Sequence, residues 1–455
     1  MKKTLLLASV FLCSNTFATA QCWESISAKN GQSAAIKEDG TLWTWGFNGQ
    51  GQLGDGTTVS RNVPVLISSD TNWKKVSSGY NHMVALKYDN TIWSWGSNSS
   101  GQLGNGTNID NHFPMQSNPE TNWSSIASGA NHTLALKSDG TLWAWGSNSY
   151  GALGNGSTIN QSSPIQIGFD TDWQWISAGE NNSFAIKTNG TLWAWGDNAN
   201  GKLGNGNTAY RLTPTQIGTD TNWAKINEGY LHTVAIKQNG TLWSWGWNAY
   251  GQLGDNTLTD KWIPTQIGTD TDWQNVNAGG YHTLAIKTNG TLWAWGYNTF
   301  GQLGIGSNSH KIYPTLVGTS NNWSDIALSF QHTIGVNTGS ELFAWGLNSD
   351  GRLGIGSNSN RNYPTSVICS NLNNINFSQI SSFILYPNPA TDMISIQNTE
   401  NKNIETVLLY DIVGKKIKEL TGNVSQIDVK DLQNGMYLVH INADKQNHTL
   451  KFIKR

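Results

Sequence analysis

Five histidines recur at one spacing, His82, His132, His232, His282 and His332, and a set of imidazoles is the first place to look for metal or acid–base chemistry. The same register holds Gln32 and Asn182. Replacement by amides fits side chains that satisfy local backbone groups better than it fits convergent ligands. Asp270-Thr271-Asp272 offers two carboxylates to a cation, but the related Asp-Thr-Asn segments elsewhere mark it as a turn. The chain contains no G-x-S-x-G elbow, H-E-x-x-H pair, P-loop or CxxC pair, and no isolated carboxylate pair to serve as acid and base. The expectation is a protein without catalytic residues, metal or cofactor.

The elements that must position these residues are set by the tryptophans. Trp23, Trp73, Trp123, Trp173, Trp223, Trp273 and Trp323 recur every fifty residues, and Trp45 to Trp345 do the same. Twenty of the 23 Trp fall in three registers, the exceptions being Trp175, Trp247 and Trp262, so most are explained by packing. Seven copies without insertions mean one supersecondary unit repeated, at a length that suits a propeller blade of four short strands. In the repeat 223–268, Trp223 to Asn227, Thr233 to Lys237 and Thr241 to Trp245 alternate as strands, with Asn239-Gly240 as a hairpin turn. A fourth strand, Thr265 to Ile267, follows Pro264, and a proline belongs at a strand start or edge.

Residues Gly279 to Gly304 display the repeated motif, G-x-x-H-T-x-A-[IL]-K-x-[DN]-G-T-L-W-x-W-G-x-N-x-x-G-x-L-G, nearly complete. This motif resembles the regulator of chromosome condensation repeat family over residues 23 to 368. The resemblance implies a seven-bladed β-propeller.

Composition agrees with a turn-rich β scaffold: 13% of residues are charged, against about 25% in average globular proteins, and there are 49 Gly. The formal charge is -2, and loss of Lys2 and Lys3 with a leader makes it -4, so no basic field draws a polyanion and nucleic acid is not an expected partner. A basic start, the apolar run Leu5 to Leu12 and Ala18-Thr19-Ala20 read as a secretory signal over 1–20. No later stretch is long and apolar enough to span a membrane.

The propeller occupies 21–369. In the fifty-residue register Cys22 is equivalent to position 372, three residues past Cys369, so ring closure brings the two together and a disulfide is expected. A polar linker, 370–382, leads to a domain over 383–455. Its Tyr386-Pro387-Asn388-Pro389, Gly414-Lys415, Gly435-Met436-Tyr437 and Lys454-Arg455 resemble the type A C-terminal sorting domain of the type IX secretion system. That resemblance implies engagement of the type IX machinery and a secreted or outer cell-surface protein of a Gram-negative bacterium. The complete fold expectation is all-β, a seven-bladed propeller followed by a small β-sandwich.

In an up-and-down blade alternate connections lie at opposite ends, so Glu228 to His232 and Gly246 to Ile263 share a face. The opposite face is monotonous between repeats. The variable face carries Tyr210, Tyr230, Trp247, Tyr250, Trp262, Tyr281, Tyr297 and Phe300. Aromatics with a polar end are typical interface anchors. Tyr230, Trp247, Tyr250, Trp262, Tyr297 and Phe300 are the candidate contacts for an extracellular protein or glycan, and packing beneath loops stays open as the other reading of the same rings. The chain is expected to be a monomer. Two alternatives stand beside this reading: nucleotide exchange on a small GTPase, which the resemblance to the nuclear relative implies, and an enzyme acting on extracellular polysaccharide.

Overall fold

The computed structural model describes residues 23–367, 383–387, 390–398, 402–411, 416–444 and 446–454. Within 23–367 each repeat forms one four-stranded antiparallel sheet whose strands follow chain order, giving blades one to seven. Blade five shows how the residues dictate this. Its first strand, Trp223–Glu228, alternates between core and axial channel. The second, His232–Lys237, is buried along its whole length because neighbouring blades cover both of its faces, which is why Val234-Ala235-Ile236 runs apolar without a break. Leu242–Gly246 is nearly as buried, and Lys261–Gln266 forms the half-exposed outer edge.

The Asn239-Gly240 turn needs its glycine: φ is +75° there, and an added Cβ would stand 2.1 Å from the Thr271 carbonyl oxygen. The fourth strand departs from expectation by starting at Lys261 and running through Pro264. Its pairing jumps from Ser244↔Thr265 to Gly246↔Lys261, so Pro264 sits in an irregular stretch where the ladder requires no N–H from it.

Blades join through apolar seams. Phe184, Ile186 and Leu203 of blade four pack on Trp223, Ile226 and Trp245 of blade five, and Trp245 Nε1 donates to the Lys202 carbonyl at 2.9 Å. Blade one consists wholly of N-terminal strands and blade seven wholly of later ones, so no strand is shared at ring closure. The closing seam instead repeats the ordinary contacts: Trp45 Nε1 donates to the Arg352 carbonyl at 3.0 Å, and Ser33 Oγ lies 2.8 Å from His332 Nε2. Cys22 and Cys369, the expected disulfide, lie outside the described residues.

The C-terminal unit has its own core, built from residues such as Phe383, Ile394, Val407, Ile427, Val439 and Phe452. A three-stranded sheet (Phe383–Tyr386, Met393–Asn398, Gln426–Asp428) accompanies a four-stranded one (Lys416–Thr421, Ile404–Asp411, Gly435–Ala443, Gln446–Lys454). Of the residues carrying the sorting-domain resemblance, Pro387 follows the first strand, Gly435 opens a long strand and Lys454 ends the last. Asn388, Pro389 and Gly414 lie outside the described residues. Among the described residues no helix is long and apolar enough to cross a membrane.

Candidate functional site

One buried asparagine per blade holds the long segment after the third strand. Asn248 accepts the Leu253 N–H at 3.0 Å, and its Nδ2 donates to Asp255 Oδ1 at 3.0 Å and to the Thr257 and Thr259 carbonyls at 3.1 and 3.2 Å. The backbone N–H of Trp247 donates to the Leu231 carbonyl at 2.9 Å, which ties this segment to the connection after the first strand. Residues 230–231 and 247–250 are therefore displayed together on one fixed platform.

On this platform the rings of blades five to seven touch in a continuous cluster. Trp247 meets Tyr250 and Tyr281 at centroid distances of 5.4 and 5.1 Å, and Tyr250 meets Tyr297 at 4.7 Å. Tyr297 meets Phe300 at 6.3 Å and His310 at 4.9 Å. Tyr230, Tyr281 and Phe330 meet one another at 5.1 to 5.7 Å. Most contacts are edge-to-face, the favoured aromatic geometry. All of these rings except the exposed His310 are half-buried, so they pack on one another and still present surface.

Trp262 stands elsewhere. It lies in the outer strand of blade five, 48% exposed, over the backbone of Gly201 in blade four, where a Cβ would come within 2.5 Å of its ring. Tyr210 is exposed in the blade-four loop.

A second group gathers where the axial channel opens on this face. Tyr80, Glu180, Tyr230 and Phe330 border a cavity of about 310 Å³ that continues between the first strands of the blades. Lys29 reaches across from blade one, its Nζ donating to the carbonyls of Ser128 and Ala178 at 2.9 Å each. Ser177 Oγ donates to Glu228 Oε2, while Glu228 Oε1 is buried without a partner. Burial pushes the Glu228 carboxyl up and the Lys29 ammonium down from their ordinary values. Glu180 is also raised by burial, and its charge adds to burial in raising the Tyr80 phenol. Spacing along the chain concealed this group. The signal that could have found it is departure from the repeat: Lys29 replaces the glycine or serine of the other blades, and Glu228 a small residue or leucine.

The histidine belt is structural in its contacts. His232 Nε2 lies 2.9 Å from Thr283 Oγ1, and that hydroxyl donates to the Gln252 carbonyl at 2.8 Å, so the imidazole must be the donor to it. Burial pushes His82, His132, His232 and His282 down to about 3, leaving them neutral. Asp270 and Asp272 pair with Lys287 at 2.7 and 3.0 Å, and the lysine lies against Trp273 and Trp293. Those carboxylates thus hold a side chain of their own blade. Among the described residues no group of three or more His, Cys, Asp or Glu is arranged to hold a metal ion.

A model of the RCC1-like domain matches residues 13–268, more than half of the chain, and the regulator of chromosome condensation repeat matches 273–302, 289–336 and 340–382. The chain belongs to the RCC1-like family. The secretion system C-terminal sorting domain matches residues 384–455 beside this RCC1-like propeller, which marks the protein for secretion. Human WBSCR16 is similar in fold at 24% identity and a TM-score of 0.66, over 72% of this chain and 94% of that one. Yeast RCC1 (Prp20), solved bound to Kap60, is similar at 19% identity and a TM-score of 0.66, over 85% and 92%. Prp20p from Saccharomyces cerevisiae, solved in a study of its binding to Gsp1p and histones, gives 20% identity and 0.66 over 80% and 90%. These likenesses show the seven-bladed fold.

Proposed function

We propose that this RCC1-like propeller is a non-catalytic binding module that holds a protein or glycan outside the cell, at the surface or released from it. The observation that carries the reading is the continuous ring cluster from Tyr230 to Phe300, confined to one sector of one face. Packing between blades already occupies the repeated tryptophans, and these additional rings break the repeat where the surface is variable. A rigid platform of half-buried aromatics is suited to binding because their large area is ordered before contact, at little further entropic cost. The sorting domain supports the extracellular setting.

The test is capture from surface extracts and on a glycan array with the mature full chain, beside a Trp247→Ala/Tyr250→Ala variant whose near-ultraviolet circular dichroism is unchanged. A specific partner whose binding falls at least tenfold in the variant supports the module and locates its face. Partners that bind both proteins equally would remove this sector from the function.

A further inference from the structure

The axial channel is unequal at its two ends. At the aromatic mouth three acidic groups, Glu180, Glu228 and Asp197, stand against two basic ones, Lys29 and Lys202, an excess of one acidic group. At the far end Lys75 and Lys225 stand against Asp325, an excess of one positive charge. Both cations at the mouth are already engaged: Lys202 pairs with Asp197 at 2.7 Å, and Lys29 is bound by two backbone carbonyls. Among the described residues no lysine or arginine nitrogen forms an ion pair with either Glu180 or Glu228.

Glu228 is an independent sign of a ligand. It is 8% exposed, lines the cavity and has one carboxylate oxygen without a partner. A buried acceptor left unpaired is costly, and an occupant that supplies a donor relieves it. Above it stand Tyr80, Tyr230 and Phe330, whose faces favour a cation and whose apolar edges suit an alkyl stem.

We infer that the channel mouth is a binding site for a primary alkylammonium group, presented as the lysine side chain at a loop tip of the partner protein. The ammonium lies between Glu180 and the free oxygen of Glu228, and its methylene stem passes the aromatic collar. The identity of the ligand as a partner's lysine rests on the binding-module reading, because the collar shares Tyr230 with the face cluster. The pocket itself does not depend on that reading.

The experiment is calorimetric titration of the mature full chain with n-butylammonium, with n-butanol as the neutral isostere, and with a short cyclic peptide carrying one lysine at its turn. The amine is expected to bind at least tenfold more tightly than the alcohol, and the peptide more tightly than the amine. Glu228→Gln and Glu180→Gln are each expected to weaken amine binding about tenfold. Lys29→Met, which removes a competing cation, is expected to strengthen it, an outcome that loss of fold would not produce. Equal binding of amine and alcohol, or amine binding unchanged in both carboxamide variants, overturns the site. Amine binding with no binding of the peptide overturns the partner lysine as its source. Trp247→Ala separates the two readings: if surface capture proves independent of Trp247 while amine binding still requires Glu228, the face fails and the pocket stands.

Discussion

At the scale of single residues, the buried imidazoles set the acid limit of the protein. Each accepts burial only as the neutral form, at about 3 for His82, His132, His232 and His282 against about 6.5 in an unfolded chain. Between those values the unfolded state binds more protons, so the part of the stability that depends on these histidines is present above about pH 6.5 and is lost as pH falls, by about 1.4 kcal/mol per pH unit for each. His132→Gln, which copies the residue that blade one already carries at Gln32, is expected to cost about 1 kcal/mol at pH 7.5 and to flatten the acid slope by one proton. Urea unfolding between pH 7.5 and 4.5 checks both, and an unchanged slope would show that His132 is not held neutral. The charged groups of the channel mouth differ in kind, since they occupy positions where the repeat is broken.

At the scale of the element, the long segment after each third strand owes its shape to one amide. Asn248→Ala strands the Leu253 N–H and the Thr257 and Thr259 carbonyls, at a cost of about 2 kcal/mol. The more specific expectation is faster hydrogen exchange at the Leu253 amide, with the exchange of the blade-two loop unchanged; protection equal to wild type would show that the backbone holds the loop unaided. Strand positions were legible because alternation, Asn-Gly turns and tryptophans recur seven times. The start of the fourth strand is not legible in the sequence, because a proline tolerated in an irregular stretch looks the same as one at a strand end. Rings at 247, 250, 297 and 300 stand out from their registers, but which rings touch depends on contacts across blades. Tyr281 joins Trp247 to Phe330, and Lys29 reaches carbonyls of blades three and four. Trp262 is equally conspicuous in sequence yet sits over Gly201 at the outer edge.

At the scale of the whole molecule, the ring closes without an exchanged strand, through the same tryptophan-to-carbonyl contact that joins blades four and five. In such an array stability is carried by each blade and its interfaces with its neighbours rather than by chain order. A circular permutant of the propeller that opens between blades three and four, with 23 and 367 joined by a flexible linker, is expected to fold with a melting temperature within a few degrees of the parent propeller. A permutant that fails to fold would show that the original ends do more than meet. The same closure decides how the propeller bears load. The chain leaves it from Arg361–Ser366, an outermost strand held along one side by Leu342–Gly346. A pull on the sorting-domain end therefore meets one edge ladder and not an interlocked ring, and blade seven takes the load first.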